Sequence, residues 1–170
     1  QELLKKQGIQ SVTFADQLPY NVGNSTTSIS WEGKDPLNEE WYSEINVGEN
    51  FIKTMKIEII EGRDFSVGNV NKIIVNEAAV KRMKIEYPVG KFITIDGMQF
   101  EIIGTVKNFN FMFMRAPDIP LFINYFPERS DITLIRLDKG DINSGLKSIK
   151  EVYNHFSPDF ILDYTFLDQA

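Results

Sequence analysis

Cysteine is absent from the chain. That excludes disulfide crosslinks, thiolate zinc centres and cysteine nucleophiles together. It leaves the compartment open, because domains without disulfides occur on both sides of a membrane. Histidine is almost absent: His155 is the only one, and a His-based metal site needs more than one. It falls near the end of an expected helix, where the helix dipole favours a protonated imidazole, and a solvated or capping role fits it best. Positive charge is also scarce, with 18 basic against 24 acidic residues, a net charge of -6 and a pI near 4.9. The longest basic group, Lys81-Arg82 with Lys84, reads as the solvated side of a short helix, so nucleic acid is not expected as a partner. No run reaches the roughly 18 apolar residues of a membrane-spanning helix. The chain does not begin with Met, and its ends, Gln1-Glu2-Leu3 and Asp168-Gln169-Ala170, read as the middle of elements. The expectation is a piece excised from a longer protein.

Reactive spacings are missing too. There is no G-x-S-x-G, no Walker-type phosphate loop and no dinucleotide-binding glycine pattern. Glu39-Glu40 lies in a polar stretch and reads as solvated, and Asp16, Asp64 and Asp96 are far apart in sequence. Glycoside chemistry needs two carboxylates facing across a cleft, which nothing here marks. Asp138-Lys139-Gly140-Asp141-Ile142-Asn143 faintly resembles a calcium loop, but a turn plus a helix cap explains it better. A hydrolase would require a cleft holding several ionisable groups with perturbed proton affinities.

What the sequence does hold is a core. Hydrophobic residues make up 42% and charged residues 25%, with 13 phenylalanines, enough for one aromatic core or two small lobes. Ile9 to Ala15 alternates and predicts a strand, as do Ser28 to Glu32 and Trp41 to Val47. Glu49 to Met55 predicts a short helix burying Phe51, Ile52 and Met55. Lys72 to Val75 is a buried strand, and Asn76 can cap the helix Glu77 to Met83. Phe92 to Ile95 and Met98 to Val106 are strands joined by Asp96-Gly97, the strongest hairpin signal present. Leu121 to Tyr125 and Ile132 to Leu137 are further strands. Asp141 can cap a helix with Ile142, Leu146, Ile149, Tyr153 and Phe156 on one face. Pro158 stops it, and the alternation of Phe160, Leu162, Tyr164 and Phe166 predicts a last strand with an aromatic face. Strands and short helices mix throughout, an α+β class. We expect two lobes: residues 1–62 with 118–170, and an inserted, strand-rich lobe at 63–117.

Two apolar groups bear on function. Phe109, Phe111, Met112, Phe113 and Met114 fall in a Pro-punctuated loop; they either plug a gap between lobes or offer an adaptable surface to a partner or hydrophobic substrate. Trp31, Trp41 and Tyr42 read as sheet-face packing. Several other residues have backbone roles. Gly62 before Arg63, Asp64 and Phe65 allows a sharp exit from the first lobe. Asn76-Glu77 starts a helix directly from a strand, Gly90 ends a turn, and Gly104 inside a strand marks a bulge or a close backbone approach.

These phrases recur in a fixed order: Val47 to Met55, then Ile60-Glu61-Gly62-Arg63-Asp64-Phe65, then Ile74-Val75-Asn76-Glu77-Ala78-Ala79, then Tyr87-Pro88-Val89-Gly90-Lys91, then Glu101 to Phe109 and a downstream Pro120. The ordered set resembles the MacB-like periplasmic core domain of ABC-transporter permeases of the MacB/FtsX type, over nearly the whole chain. The resemblance implies a porter-like lobe of β-α-β units with an inserted strand-rich, Sabre-like lobe. It implies a domain on the periplasmic face of the bacterial inner membrane, carried by the transmembrane helices of its own permease and facing a permease dimer partner. It implies no cofactor in this domain and no enzyme, ATP being hydrolysed by a separate ABC ATPase subunit or domain, with the movement relayed to export or mechanical work. Peptides, lipids or lipoproteins are the implied substrates. The alternative is an extracytoplasmic domain that senses or captures a peptide or lipid ligand.

Overall fold

In a computed structural model, residues 2–35, 37, 39–109, 118–129 and 131–167 are described. The chain divides into two compact units, Gln1–Val12 with Leu134–Ala170, and Thr13–Thr133. These boundaries differ from the expected lobes, and the strand pairings show why.

The larger unit holds most of the strands: the end of β1 (Ile9–Ala15), β2 (Ser25–Thr26), β3 (Ile29–Trp31), β4 (Tyr42–Val47), β5 (Ile59–Gly62), β6 (Lys72–Asn76), β7 (Phe92–Ile95), β8 (Met98–Val106) and β9 (Leu121–Tyr125). β9 lies between β4, parallel to it, and β6, antiparallel to it. β6 in turn pairs with β8 in parallel. The strands of residues 63–117 therefore share one hydrogen-bonded sheet with those on either side in sequence. β6 is central and apolar, with Ile73, Ile74 and Val75 all fully buried, as a strand covered on both faces must be.

The sheet also closes on itself. β2 pairs with β4 and β3 with β7, with only Thr27 and Ser28 between them. The pairings β4–β9–β6–β8–β7–β3 thus return to β4 through β2. One face of this ring carries the core of Ile29, Tyr42, Ile73, Val75, Ile93, Ile95, Phe100, Ile102 and Phe122, joined by Ala79 and Met83 of α2 (Glu77–Met83). The β7–β8 hairpin turns on Asp96 and Gly97, both at positive φ, as two-residue hairpins require. α1 (Phe51–Met55) buries Phe51 and Ile52, while Met55 is only partly covered. β5 is exposed along its length, Ile59 and Ile60 included.

In the smaller unit β10 (Ile132–Leu137) lies beside β1, and α3 (Ile142–Phe156) follows. α3 only half-buries Leu146, Ile149 and Tyr153 of its expected apolar face. Its buried positions are Gly145 and Ser148, and Ile142 and Phe156 are exposed. The cause is a backbone contact: a Cβ on Gly145 would lie 2.8 Å from the Gly8 carbonyl oxygen, so only glycine lets the helix approach so closely. Ser148 Oγ donates to the Gln7 carbonyl at 3.0 Å. The expected last strand does not form. Residues 161–166 have no regular structure, and Phe160, Ile161, Tyr164 and Leu167 are exposed. Alternation makes a strand only where a neighbour accepts its backbone hydrogen bonds, and among the described residues none pairs with this segment.

Candidate functional site

The motif residues meet at the start of α2. Asn76 is fully buried at the junction of β6 and α2. Its Oδ1 accepts from the Ala79 N–H and the Leu121 N–H, both at 2.9 Å, and its Nδ2 donates to the Ile119 carbonyl at 2.8 Å. One side chain caps the helix and fixes the start of β9. Beside it, Glu77 Oε2 accepts from the Asn108 N–H at 3.0 Å, and Asn108 Oδ1 accepts from the Ala78 N–H at 3.0 Å. Two first-turn donors of α2, which have no partner within the helix, are met by Asn76 and Asn108. Glu77 suits the positive end of the dipole.

The Gly62 to Phe65 motif forms a second joint. Gly62 pairs with Gly104 across β5 and β8. A Cβ on Gly62 would lie 2.2 Å from the Ile103 carbonyl oxygen, and one on Gly104 2.8 Å from the Arg63 carbonyl oxygen. The β6–β8 register shifts at Ile73/Ile74, leaving Ile103 as the extra residue, which is the expected bulge. Asp64 Oδ2 accepts from the Lys53 N–H at 3.0 Å, satisfying a first-turn donor of α1 from outside, and Oδ1 accepts from the Phe65 N–H at 2.7 Å. Arg63 Nη1 donates to Asn69 Oδ1 at 2.9 Å, which also accepts from the Ser66 N–H. Phe65 is buried with its ring 5.6 Å from that of Tyr125. Gly90, at positive φ, donates to the Ile102 carbonyl at 2.7 Å.

Among the aromatics, Tyr42 is fully buried, stacked on Phe122 at 4.8 Å and met edge-on by Trp31 at 6.1 Å. Burial first, then the Glu40 charge, pushes the Tyr42 hydroxyl well above its ordinary value. Trp41 is 65% exposed, so sheet-face packing describes Trp31 and Tyr42 but not Trp41. Glu40, expected to be solvated, lies 3.6 Å from Arg82 and accepts from the Tyr42 hydroxyl. Phe109 is half-buried, and Phe111, Met112, Phe113 and Met114 lie outside the described residues. His155 is exposed on α3 with its ring against Phe156. The Asp141 carboxylate is held below its ordinary value by hydrogen bonds from Ser144 and Gln7, as a helix start rather than a calcium loop. Among the described residues no group of three His, Asp or Glu could hold a metal ion.

A polar cluster on the ring was not anticipated. Asp16 Oδ2 accepts from Asn46 Nδ2 at 2.7 Å and Oδ1 from the Asn46 N–H at 3.0 Å. Gln17 Oε1 accepts from the Gly23 and Asn24 N–H groups, and its Nε2 donates to the Glu44 carbonyl. The Glu44 carboxyl is pushed above its ordinary value by burial, then by the charges of Asp96 and Asp16, with Arg129 opposing. The signal in the sequence is a polar residue inside an otherwise apolar strand, Asn46 before Val47 and Asn124 within Leu121–Tyr125.

The fold is one used by extracytoplasmic domains of ABC-type transporters. The chain superposes with a TM-score of 0.60 on the periplasmic region of MacB from Actinobacillus actinomycetemcomitans, at 17% identity, covering 91% of this chain and 70% of that one. The extracellular domain of the noncanonic ABC-type transporter YknZ from Gram-positive bacteria gives 0.63 at 14% identity, covering 92% and 80%. A domain of a putative permease from Porphyromonas gingivalis gives 0.57 at 13% identity, covering 97% and 83%. No curated protein sequence matches the chain. The MacB-like periplasmic core domain matches over residues 6–148, and the chain belongs to that family. It is the periplasmic domain of a MacB-like ABC-transporter permease, a transporter family and not an enzyme class. Among the described residues no helix is long and apolar enough to cross a membrane.

Proposed function

We propose that the domain is the mechanical element of its permease on the far side of the bacterial inner membrane. A separate ABC ATPase hydrolyses ATP on the cytoplasmic side. The transmembrane helices of the permease relay the movement to this domain and to its counterpart in a permease dimer, which drive export or work on a peptide, lipid or lipoprotein. The domain itself takes no nucleotide or other cofactor. On sequence grounds, Phe109, Phe111, Met112, Phe113 and Met114 are the proposed contact for a partner or substrate.

The observation that carries this reading is where the polar side chains of the family motifs go. Asn76, Glu77, Asp64 and Arg63 all bond to backbone or to neighbouring loop residues. Asn76 is buried and satisfied, which fixes one arrangement of β6, α2 and β9, and Asp64, Arg63 and Glu77 tie the flanking loops at the surface. The motifs thus build a piece that can be moved as a unit.

Hydrogen exchange tests the reading in two arms. In the full-length permease with its ATPase, trapping ATP on the cytoplasmic side should change amide protection within this domain. The 170-residue chain alone, given Mg-ATP, should show no change. Exchange that is the same with and without trapped nucleotide in the full permease would contradict the proposal, as would a response of the isolated chain to ATP.

A further inference from the structure

β4 and β9 lie side by side, with Glu44 opposite Phe122 and Asn46 opposite Asn124. Alternate residues of a strand share a face. Glu44, Asn46 and Asn124 therefore stand on the face that carries Tyr42 and Phe122 of the core. Asn46 is satisfied by both oxygens of Asp16. Asn124 is not: it is 4% exposed, and its Oδ1 has no hydrogen-bond partner. A buried acceptor without a donor carries the full cost of leaving water.

The register makes Glu44 the diagonal neighbour of Asn124 on that face, a separation a long side chain spans. An ionised glutamate has no hydrogen to give, and a protonated one has. The groups around Glu44 favour the proton. Asp16 faces it from the end of β1, Asp96 from the β7–β8 turn and Arg129 from the turn after β9, while burial acts in the same direction as the two aspartates. β9 brings only uncharged groups, Phe122 and Asn124, and β2 brings Thr26 on that face. A metal ion is the other way to satisfy an orphan oxygen among carboxylates, but Asp16 is already engaged by Asn46 and no set of three ligands is assembled among the described residues.

We propose that Glu44 and Asn124 form a proton-operated clasp, in which neutral Glu44 donates its carboxyl hydrogen to Asn124 Oδ1 and ties β4 to β9 within the ring. Ionisation of Glu44 opens it and restores the orphan acceptor. The domain is then stiffest in an acidic surrounding and looser in a neutral one, which makes its mechanics responsive to pH outside the cytoplasm. The sign follows from linkage: the folded state holds this proton more tightly than the unfolded chain. The stabilisation is complete below the ordinary glutamate range and is lost as pH rises through the folded-state value.

Thermal unfolding of the 170-residue chain and its Glu44→Gln variant across pH tests the clasp. The glutamine amide keeps a donor for Asn124 and carries no charge. At about pH 8 the variant should melt on the order of 2–4 °C above the unchanged protein, and the gap should narrow as pH falls and close only below the ordinary glutamate range, at about pH 3.5–4. A gap that does not depend on pH overturns the proposal. Carbon-13 titration of the Glu44 carboxyl in the unsubstituted chain gives a second reading, with a midpoint above the ordinary glutamate range that falls in Asn124→Ala. A midpoint at or below that range overturns it too. Calcium chloride that stabilises the unchanged protein at neutral pH but not Glu44→Gln would overturn it in favour of a cation.

Discussion

Asn76 shows how much one side chain can hold. Its role as a cap is legible in the sequence, because an Asn between an Ile- and Val-bearing strand and the Ala78-Ala79 turn is a standard helix start. Its bonds to Ile119 and Leu121 are not legible, because nothing local in the sequence marks a partner more than forty residues away. Replacing Asn76 with Ala removes all three bonds and leaves the Leu121 N–H and the Ile119 carbonyl without this partner beside a fully buried site. We expect a loss of about 2–4 kcal/mol in urea unfolding. Loss of less than about 0.5 kcal/mol would mean water or a backbone shift replaces the side chain. Buried polar residues such as Asn46 and Asn124 were harder to read. Their neighbours Ile45, Val47, Ile123 and Tyr125 are what make those segments strands, and a lone Asn within them carries no local signal of its partner.

Elements defined by local chemistry were legible, and those defined by a partner were not. The Asp96-Gly97 hairpin, the β6–α2 junction and the extents of β1, β4, β9 and β10 follow from turn residues, caps and alternation. α3 has the expected extent, but its most deeply buried positions are Gly145 and Ser148 rather than the expected apolar face, which is half-buried at Leu146, Ile149 and Tyr153, because the Gly8–Gly145 contact sets how the helix sits. The alternation of Phe160 to Phe166 makes no strand, because a strand also needs a neighbour. Gly104 is the case where sequence and structure agree on a reason, a bulge and a close backbone approach, and its partner in that approach is Gly62. Gly62 and Gly68 share nearly the same positive φ, +81° and +82°, but only Gly62 has backbone where a Cβ would go. Gly68→Ala should cost about 1 kcal/mol, from left-handed backbone strain alone. Gly62→Ala should cost about 3 kcal/mol, from strain and collision with the Ile103 carbonyl together. Equal losses in denaturant unfolding would show that β5 can shift away and that the close pairing holds little of the fold in place.

At the scale of the molecule, the ordered motifs from Val47 to Pro120 pointed to the family, and the match over residues 6–148 bears that out. The arrangement of the strands was less legible. Residues 63–117 look like an insert in sequence because they carry their own hairpin and helix. In the larger unit their strands pair with β9, and through it with β4. Pairing between strands distant in sequence is set by long-range contacts that no local pattern encodes. The proposed mechanical role is tested at this scale as well. Because this chain has no cysteine, a single Val67→Cys substitution, at a position 81% exposed, places one spin label on each domain of an otherwise cysteine-free full-length permease. The distance between the two labels in a permease dimer should shift when ATP is trapped on the cytoplasmic ATPase, and should return when nucleotide is removed. Identical distance distributions in the two states would contradict a domain that moves with ATP hydrolysis.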